Sequence, residues 1–278
     1  MYLNHFGLRE FPFGITPDTS FIYSADAHQE ALNTLLIGLG TGEGFIKITG
    51  EVGTGKTLLC RRFLATLSHD QVVAYLPNPM LEPRILLLAI AEELGLELQG
   101  MDYQFHLLKE FNQHLLDLAA QGKRVVICID EAQSMPLESL EALRLLSNLE
   151  TEKRKLLQVV MFGQPELDAK LGDPAVRQLR QRIVFHYRMP GLKQREAAHY
   201  LAHRLRVAGH RDGDVFPSAS ARLLYRWSRG TPRLVNVLAH KSLLLAYGEG
   251  RTRVSRRHVA LAGRDTEGLR PPHWWQSW

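Results

Sequence analysis

The octapeptide Gly50-Glu51-Val52-Gly53-Thr54-Gly55-Lys56-Thr57 constrains this chain more than any other stretch. It has the spacing GxxxxGK[ST]. An apolar run, Gly44-Phe45-Ile46-Lys47-Ile48-Thr49, precedes it, and helical periodicity follows over about 56–67. A buried strand, a glycine-rich turn and a helix, in that order, are the setting in which the spacing has physical meaning. Glycines let backbone N–H groups turn inward around an anion, and the helix N-terminus adds its positive dipole end. Lys56 supplies a cation for β- and γ-phosphate oxygens, and the Thr57 hydroxyl is a magnesium ligand. The expectation is an ATP and Mg²⁺ site built from these eight residues.

A second signal completes that chemistry. The apolar run Arg124–Ile129 (RVVICI) ends in Asp130-Glu131. Carboxylates at the carboxyl end of a buried strand need a cation or hydrogen-bond donors, and that end is where α/β sheets place ligands. Asp130 is expected to hold the magnesium water shell and Glu131 to polarise the attacking water. The strand-like run 157–162 ends in Gly163-Gln164-Pro165-Glu166-Leu167. The Gln164 amide there could hold the lytic water or the γ-phosphate, or be an ordinary loop residue. Arg177, Arg180 and Arg182 cluster before the run 183–187; arginines at a helix C-terminus also suit the dipole without further purpose. Arg233, in Gly230-Thr231-Pro232-Arg233, opens a helix, where a cation opposes the dipole, and this favours a functional role.

Strand-like runs at 44–49, 72–76, 124–129, 157–162 and 183–187 alternate with helical periodicity at 25–39 (capped by Ser24), 56–67, 82–96, 103–121 and 137–149. Continuous apolar strands between amphipathic helices indicate a mostly parallel sheet covered on both faces. After Pro190-Gly191 only helical periodicity remains, at 194–207, 218–228, 232–247 and 255–262. The organisation read from this is an ordered but irregular arm (1–24), an α/β nucleotide-binding domain (25–190), a helical lid (191–265) and a Trp-rich tail (266–278). The two cysteines, Cys60 and Cys128, exclude a disulfide framework, and the twelve histidines have no metal-binding spacing. No metal beyond the magnesium is expected. No secretory signal or membrane-spanning run is evident, so the expectation is a cytoplasmic chain.

Charge is uneven. Residues 1–190 hold 18 Lys/Arg and 23 Asp/Glu, a net of −5, whereas 191–278 hold 16 and 6, a net of +10. A basic half suits nucleic acid, an anionic membrane surface, an acidic partner or a merely solvated helical surface. The tail Pro271-Pro272-His273-Trp274-Trp275-Gln276-Ser277-Trp278 reads as a docking anchor or as an extra packed edge of the lid.

Taken together, the opening Tyr2-Leu3-Asn4-His5-Phe6-Gly7-Leu8 with Pro12-Phe13 and Thr16-Pro17-Asp18, the octapeptide, Ile129-Asp130-Glu131-Ala132-Gln133, Gly163-Gln164-Pro165-Glu166-Leu167, Leu179-Arg180-Gln181-Arg182-Ile183 and Gly230-Thr231-Pro232-Arg233-Leu234-Val235-Asn236 resemble the AAA+ ATPases of type II secretion and MSHA-pilus biogenesis, the ExeA/GspA-like family. The resemblance runs from residue 2 to about 262. It implies a P-loop αβα fold with a five-stranded parallel sheet, order 5-1-4-3-2, and a helical lid. It also implies Gln164 as the polar sensor at the strand tip, Arg182 (Arg180 as second choice) as arginine finger in a homo-oligomer, and Arg233 as the lid sensor. The longer secretion members continue into a membrane helix and a peptidoglycan-binding domain that this sequence lacks, which favours the short, MshM-type pilus member. The implied function is Mg-ATP hydrolysis driving or regulating pilus or secretion assembly through a membrane-bound partner, at the inner face of the inner membrane. The alternative is an AAA+ DNA-binding adaptor of the IstB/TniB type.

Overall fold

The computed structural model describes residues 2–16, 18–21, 23, 25–96, 104–149, 155–211 and 213–269. The expected cap Ser24 and residues 271–278 of the Trp-rich tail lie outside the described residues. The described residues group into two compact units. One comprises Ala27–Gly50 and Leu59–Met189; the other comprises residues within 1–26, 51–58 and 190–278.

Except for Asp26 and Lys56–Leu58, which begin the first two helices and fall in the other unit, the first unit holds a sheet and its covering helices. In chain order these are α1 (Asp26–Gly40), β1 (Phe45–Gly50), α2 (Lys56–Leu64), β2 (Gln71–Leu76), α3 (Pro83–Glu93), α4 (Gln104–Ala120), β3 (Arg124–Ile129), α5 (Leu137–Leu146), β4 (Leu157–Gly163), α6 (Pro165–Lys170), α7 (Arg177–Arg182) and β5 (Ile183–Met189). All strand pairs are parallel and the order is β2-β3-β4-β1-β5. This is the expected 5-1-4-3-2 read from the opposite edge. The run RVVICI shows why its strand reads as continuously apolar. Val125, Ile127 and Ile129 enter one core layer with Phe45, Ile90, Phe111 and Leu115. Val126 and Cys128 enter the other layer, with Leu35, Ile48, Phe63 and Phe162. Side chains alternate across a strand, so a sheet covered on both faces needs apolar residues at every position. Register pairs Thr49 with Gly163 and Ile129 with Met161, which brings the carboxyl ends of β1, β4 and β3 to one edge of the sheet.

The second unit contains α8 (Gln194–Val207), α9 (Ser218–Ser228), α10 (Pro232–Gly248) and α11 (Arg256–Arg264). The N-terminal segment is part of its core. Tyr2, Phe6, Leu8, Phe13 and Phe21 are buried with Leu201, Leu224, Trp227, Leu238 and Leu243. Short 3-10 turns at Asn4–Phe6 and Thr19–Phe21 keep these aromatics directed inward. Polar ties accompany the burial: the Tyr2 hydroxyl lies 2.9 Å from His240 Nδ1, Asn236 donates to the Gly14 carbonyl at 2.9 Å, and the Arg204 guanidinium sits over the Phe21 ring at 4.7 Å. The link between α9 and α10 requires glycine. Gly230 has φ +77°, and a Cβ there would stand 2.1 Å from the Leu192 carbonyl oxygen.

Among the described residues no helix is long and apolar enough to cross a membrane.

Candidate functional site

The octapeptide leaves β1 at Gly50 and enters α2 at Lys56. Gly53 and Gly55 carry φ of +79° and +96°, values that non-glycine residues rarely adopt. The loop closes on the Glu51 carbonyl, which accepts from the Thr54 N–H (3.3 Å), the Thr54 hydroxyl (2.8 Å) and Lys56 Nζ (3.0 Å). Lys56 is only 6% exposed, so its ammonium is folded over the loop rather than extended into solvent. Arg233 reaches the same loop through its backbone. As the second residue of α10, it donates its N–H to the Gly53 carbonyl at 3.2 Å, while its side chain is exposed. A Cβ on Gly53 would come within 2.3 Å of Arg233 Cβ, so the motif's second glycine is required by close approach as well as by φ. The geometry fits a phosphate chain: an inward-turned glycine backbone, a lysine lying across it and the start of a helix. Thr57, half-buried in the first turn of α2, offers a hydroxyl.

At the carboxyl edge of the sheet, Asp130 is 3% exposed. Its N–H donates to the Leu76 carbonyl at 2.9 Å, and its Oδ1 accepts the Glu131 N–H at 2.9 Å. A hydroxyl and a carboxylate are the hard oxygen donors that magnesium takes, so Thr57 and Asp130 suit that ion chemically. Glu131 lies in the left-handed region (φ 50°, ψ 36°), a conformation that costs a non-glycine residue about 1–2 kcal/mol. One carboxylate oxygen, Oε2, accepts from Gln133 Nε2 at 2.5 Å and from Gln164 Nε2 at 3.0 Å. The Gln164 N–H in turn donates to Gln133 Oε1 at 2.9 Å, and Lys170 Nζ donates to the carbonyls of Gln133 and Met135 at 2.7 and 2.5 Å. Glu131 and Gln164, 33 residues apart, therefore meet at one carboxylate.

The model of the family described as "AAA domain" matches residues 39–171. Over 280 aligned residues the chain is 41% identical to general secretion pathway protein A of Aeromonas hydrophila, an alignment covering 100% of this chain and 50% of that protein. The chain belongs to the ExeA/GspA-like AAA ATPases. It spans half the length of the curated relative it matches. Solved structures agree at the level of fold. Cdc6p from Pyrobaculum aerophilum has a TM-score of 0.65 at 19% identity, over 90% of this chain and 71% of that one. The Aeropyrum pernix ORC2 protein gives 0.61 at 19% over 92% and 73%. The Thermotoga maritima RuvB branch migration motor gives 0.55 at 15% over 92% and 73%.

In this ExeA/GspA-like chain the three arginines before β5 part company. Arg177 and Arg180 are exposed. Arg182 is half-buried and directs its guanidinium to the end of α5, donating to Ser147 Oγ at 2.6 Å and to Asn148 Oδ1 at 2.5 Å. Two residues of the Glu131 network, Gln133 and Lys170, were not singled out from the residue pattern. Gln133 carries a legible signal, an amide two residues beyond the strand-end carboxylate. Lys170 carries none, because its partners are backbone carbonyls 35 and 37 residues away in the chain.

Proposed function

We propose that this chain binds Mg-ATP at residues 50–57 and hydrolyses it, and that turnover drives or regulates assembly of a type II secretion or MSHA-like pilus machine. Bound magnesium would neutralise phosphate charge, with Thr57 and Asp130 as its protein-side contacts. Lys56 orients the phosphates, and the Glu131 carboxylate takes a proton from water held with the help of Gln164. Arg233 reports the nucleotide to the helical lid, for which we retain the limits 191–265 beside a 25–190 nucleotide-binding domain. The observation that carries hydrolysis is the Glu131 carboxylate, held by two glutamine amides one residue beyond the buried Asp130. A general base must be aimed, and two donors on one oxygen leave the other available to water.

We further propose a homo-oligomer in which a finger arginine reaches the neighbouring subunit's ATP. The geometry favours Arg180 over Arg182 for this role, because Arg182 already spends its guanidinium on Ser147 and Asn148. The machine served is inferred from the relative's name, general secretion pathway protein A. A cytoplasmic location at a membrane-bound partner follows from the same inference, with the Trp-rich tail as a docking element. The DNA-adaptor alternative has the basic half 191–278 behind it, which suits an acidic protein or lipid partner equally, and the likeness to ORC, Cdc6 and RuvB structures at 15–19% identity speaks for the fold alone.

Phosphate release and binding of a fluorescent ATP analogue test the reading together. Lys56→Ala should lose binding, whereas Glu131→Gln should bind normally and turn over roughly 10²–10⁴-fold more slowly. Normal turnover by Glu131→Gln would place the base elsewhere.

A further inference from the structure

We propose that Asp168 and Lys47 are positioning residues for the hydrolytic step: their ion pair seats the short helix α6 on β1, and through α6 it keeps the Gln164 amide on the Glu131 carboxylate. The proposal rests on the reading of Glu131 as general base and of Gln164 as a holder of its water. Lys47 is the one charged residue of β1, a strand with β4 on one side and β5 on the other. A cation in an apolar central strand needs a partner close at hand. It finds Asp168, 121 positions away in the chain: Lys47 Nζ donates to Asp168 Oδ1 at 2.5 Å, and the Thr49 hydroxyl donates to Oδ2 at 3.3 Å. Both carboxylate oxygens are thus bonded to β1, just before the strand runs into the octapeptide at Gly50. The Lys47 side chain is only 15% exposed, so the pair is partly sheltered from solvent.

With six residues, α6 is too short to hold by its own backbone bonds, and its placement is set by what grips it. Leu167 is fully buried, and so close to Gly163 that a Cβ there would stand 2.7 Å from Leu167 Cδ2. Asp168 ties the helix to β1. Lys170 ties it to the carbonyls of Gln133 and Met135, at 2.7 and 2.5 Å. Residues two apart on a helix do not face the same way, so the two charged ties act from different sides of α6. Gln164 is the N-cap residue of this helix, but its side chain makes no cap bond; Nε2 donates instead to Glu131 Oε2 at 3.0 Å. A shift of α6 along β1 therefore passes directly into the amide that meets Glu131. The Lys170 tie holds α6 to the turn that follows Glu131, and the Asp168 tie references both to the strand that leads into the phosphate loop.

The test measures kcat for phosphate release, affinity for a fluorescent ATP analogue and melting temperature, all in the full chain. Asp168→Ala cuts both bonds to β1 and should lower kcat about tenfold, with analogue affinity within about threefold, as a small displacement of a reacting group does. Asp168→Glu, which keeps a carboxylate for Lys47, should return kcat to within about threefold of wild type. The deciding measurement is the cycle with Gln164→Leu. That variant alone should lower kcat about tenfold or more, and adding Asp168→Ala should cost less than about twofold further, because no amide remains to be positioned. Glu141→Ala, which breaks the comparably exposed Arg144–Glu141 pair, should leave kcat within about twofold. Should Asp168→Ala unfold, Lys47→Met cuts the same tie from the strand side and should follow the same pattern. Wild-type kcat in folded Asp168→Ala, an equal fold loss in the wild-type and Gln164→Leu backgrounds, or a loss of analogue affinity alone would each overturn the positioning pair. Wild-type kcat in Gln164→Leu would instead overturn the reading of Gln164, and the pair with it.

Discussion

Gln133→Leu isolates the network around Glu131. Leucine matches glutamine closely in size but deletes two hydrogen bonds, the 2.5 Å donor to Glu131 Oε2 and the 2.9 Å acceptor for the Gln164 N–H. A hydrogen bond to a charged group contributes about 1.5–3 kcal/mol, and an orphaned, half-buried N–H costs about 1–3 kcal/mol. The gross perturbation is therefore roughly 2.5–6 kcal/mol. Glu131 keeps its 3.0 Å bond from Gln164, so it is loosened rather than released. A reacting group displaced by about 1 Å commonly loses on the order of 10²-fold in rate. We expect kcat for phosphate release to fall about 10- to 100-fold, with KM for ATP within about threefold, because the two hydrogen bonds that Gln133→Leu removes are to Glu131 and Gln164. Gln133→Glu should fare no better than Gln133→Leu, since it sets a like charge against Glu131. The cycle of Gln133→Leu, Gln164→Leu and the double variant should show coupling of about 1 kcal/mol or more. Wild-type kcat in a folded Gln133→Leu protein would refute the positioning role. So would additivity within about 0.5 kcal/mol. A rise in KM alone would assign Gln133 to nucleotide binding instead.

Gly53→Ala forces a side chain into a φ of +79° and a Cβ within 2.3 Å of Arg233 Cβ. Affinity for a fluorescent ATP analogue should drop at least about tenfold, from a strain of about 1–2 kcal/mol plus the clash. Arg180→Ala and Lys56→Ala, each nearly inactive alone, should recover roughly a quarter of the active interfaces when mixed one to one with subunit exchange. Arg182→Ala should instead lower the melting temperature, through loss of its Ser147 and Asn148 contacts, without such recovery. Burial lowers the His240 pKa below 6.5 in the folded state. The protonated ring therefore favours the unfolded chain, and this contribution is complete above pH 6.5 and lost as pH falls through the folded pKa. His240→Gln, which keeps a hydrogen-bonding group for Tyr2, should flatten that part of the melting temperature's dependence on pH.

What a few consecutive residues can encode was legible from sequence. A loop that needs positive φ at two glycines, a lysine beside them and a following helix fits within eight positions. Strands buried on both faces likewise announce themselves by having no polar alternation, as RVVICI does. The strand order came from family resemblance. Periodicity alone says that a sheet is parallel, not which strands are neighbours.

The remaining features depend on side chains meeting across long stretches of chain. Gln164 finds Glu131 only because register sets the ends of β3 and β4 side by side. Arg182 could equally have faced a neighbouring subunit, and packing of α7 against α5 decided that it binds Ser147 and Asn148. The arm of residues 1–24 reads as irregular because its apolar residues follow neither a period of 3.6 nor one of 2. The helical unit supplies the pocket those aromatics fill, with Tyr2 meeting His240 across 238 positions. Backbone conformation and local hydrogen-bonding capacity are properties of neighbours in sequence. Which charges converge, and on what, is a property of packing, and the tertiary structure decided it.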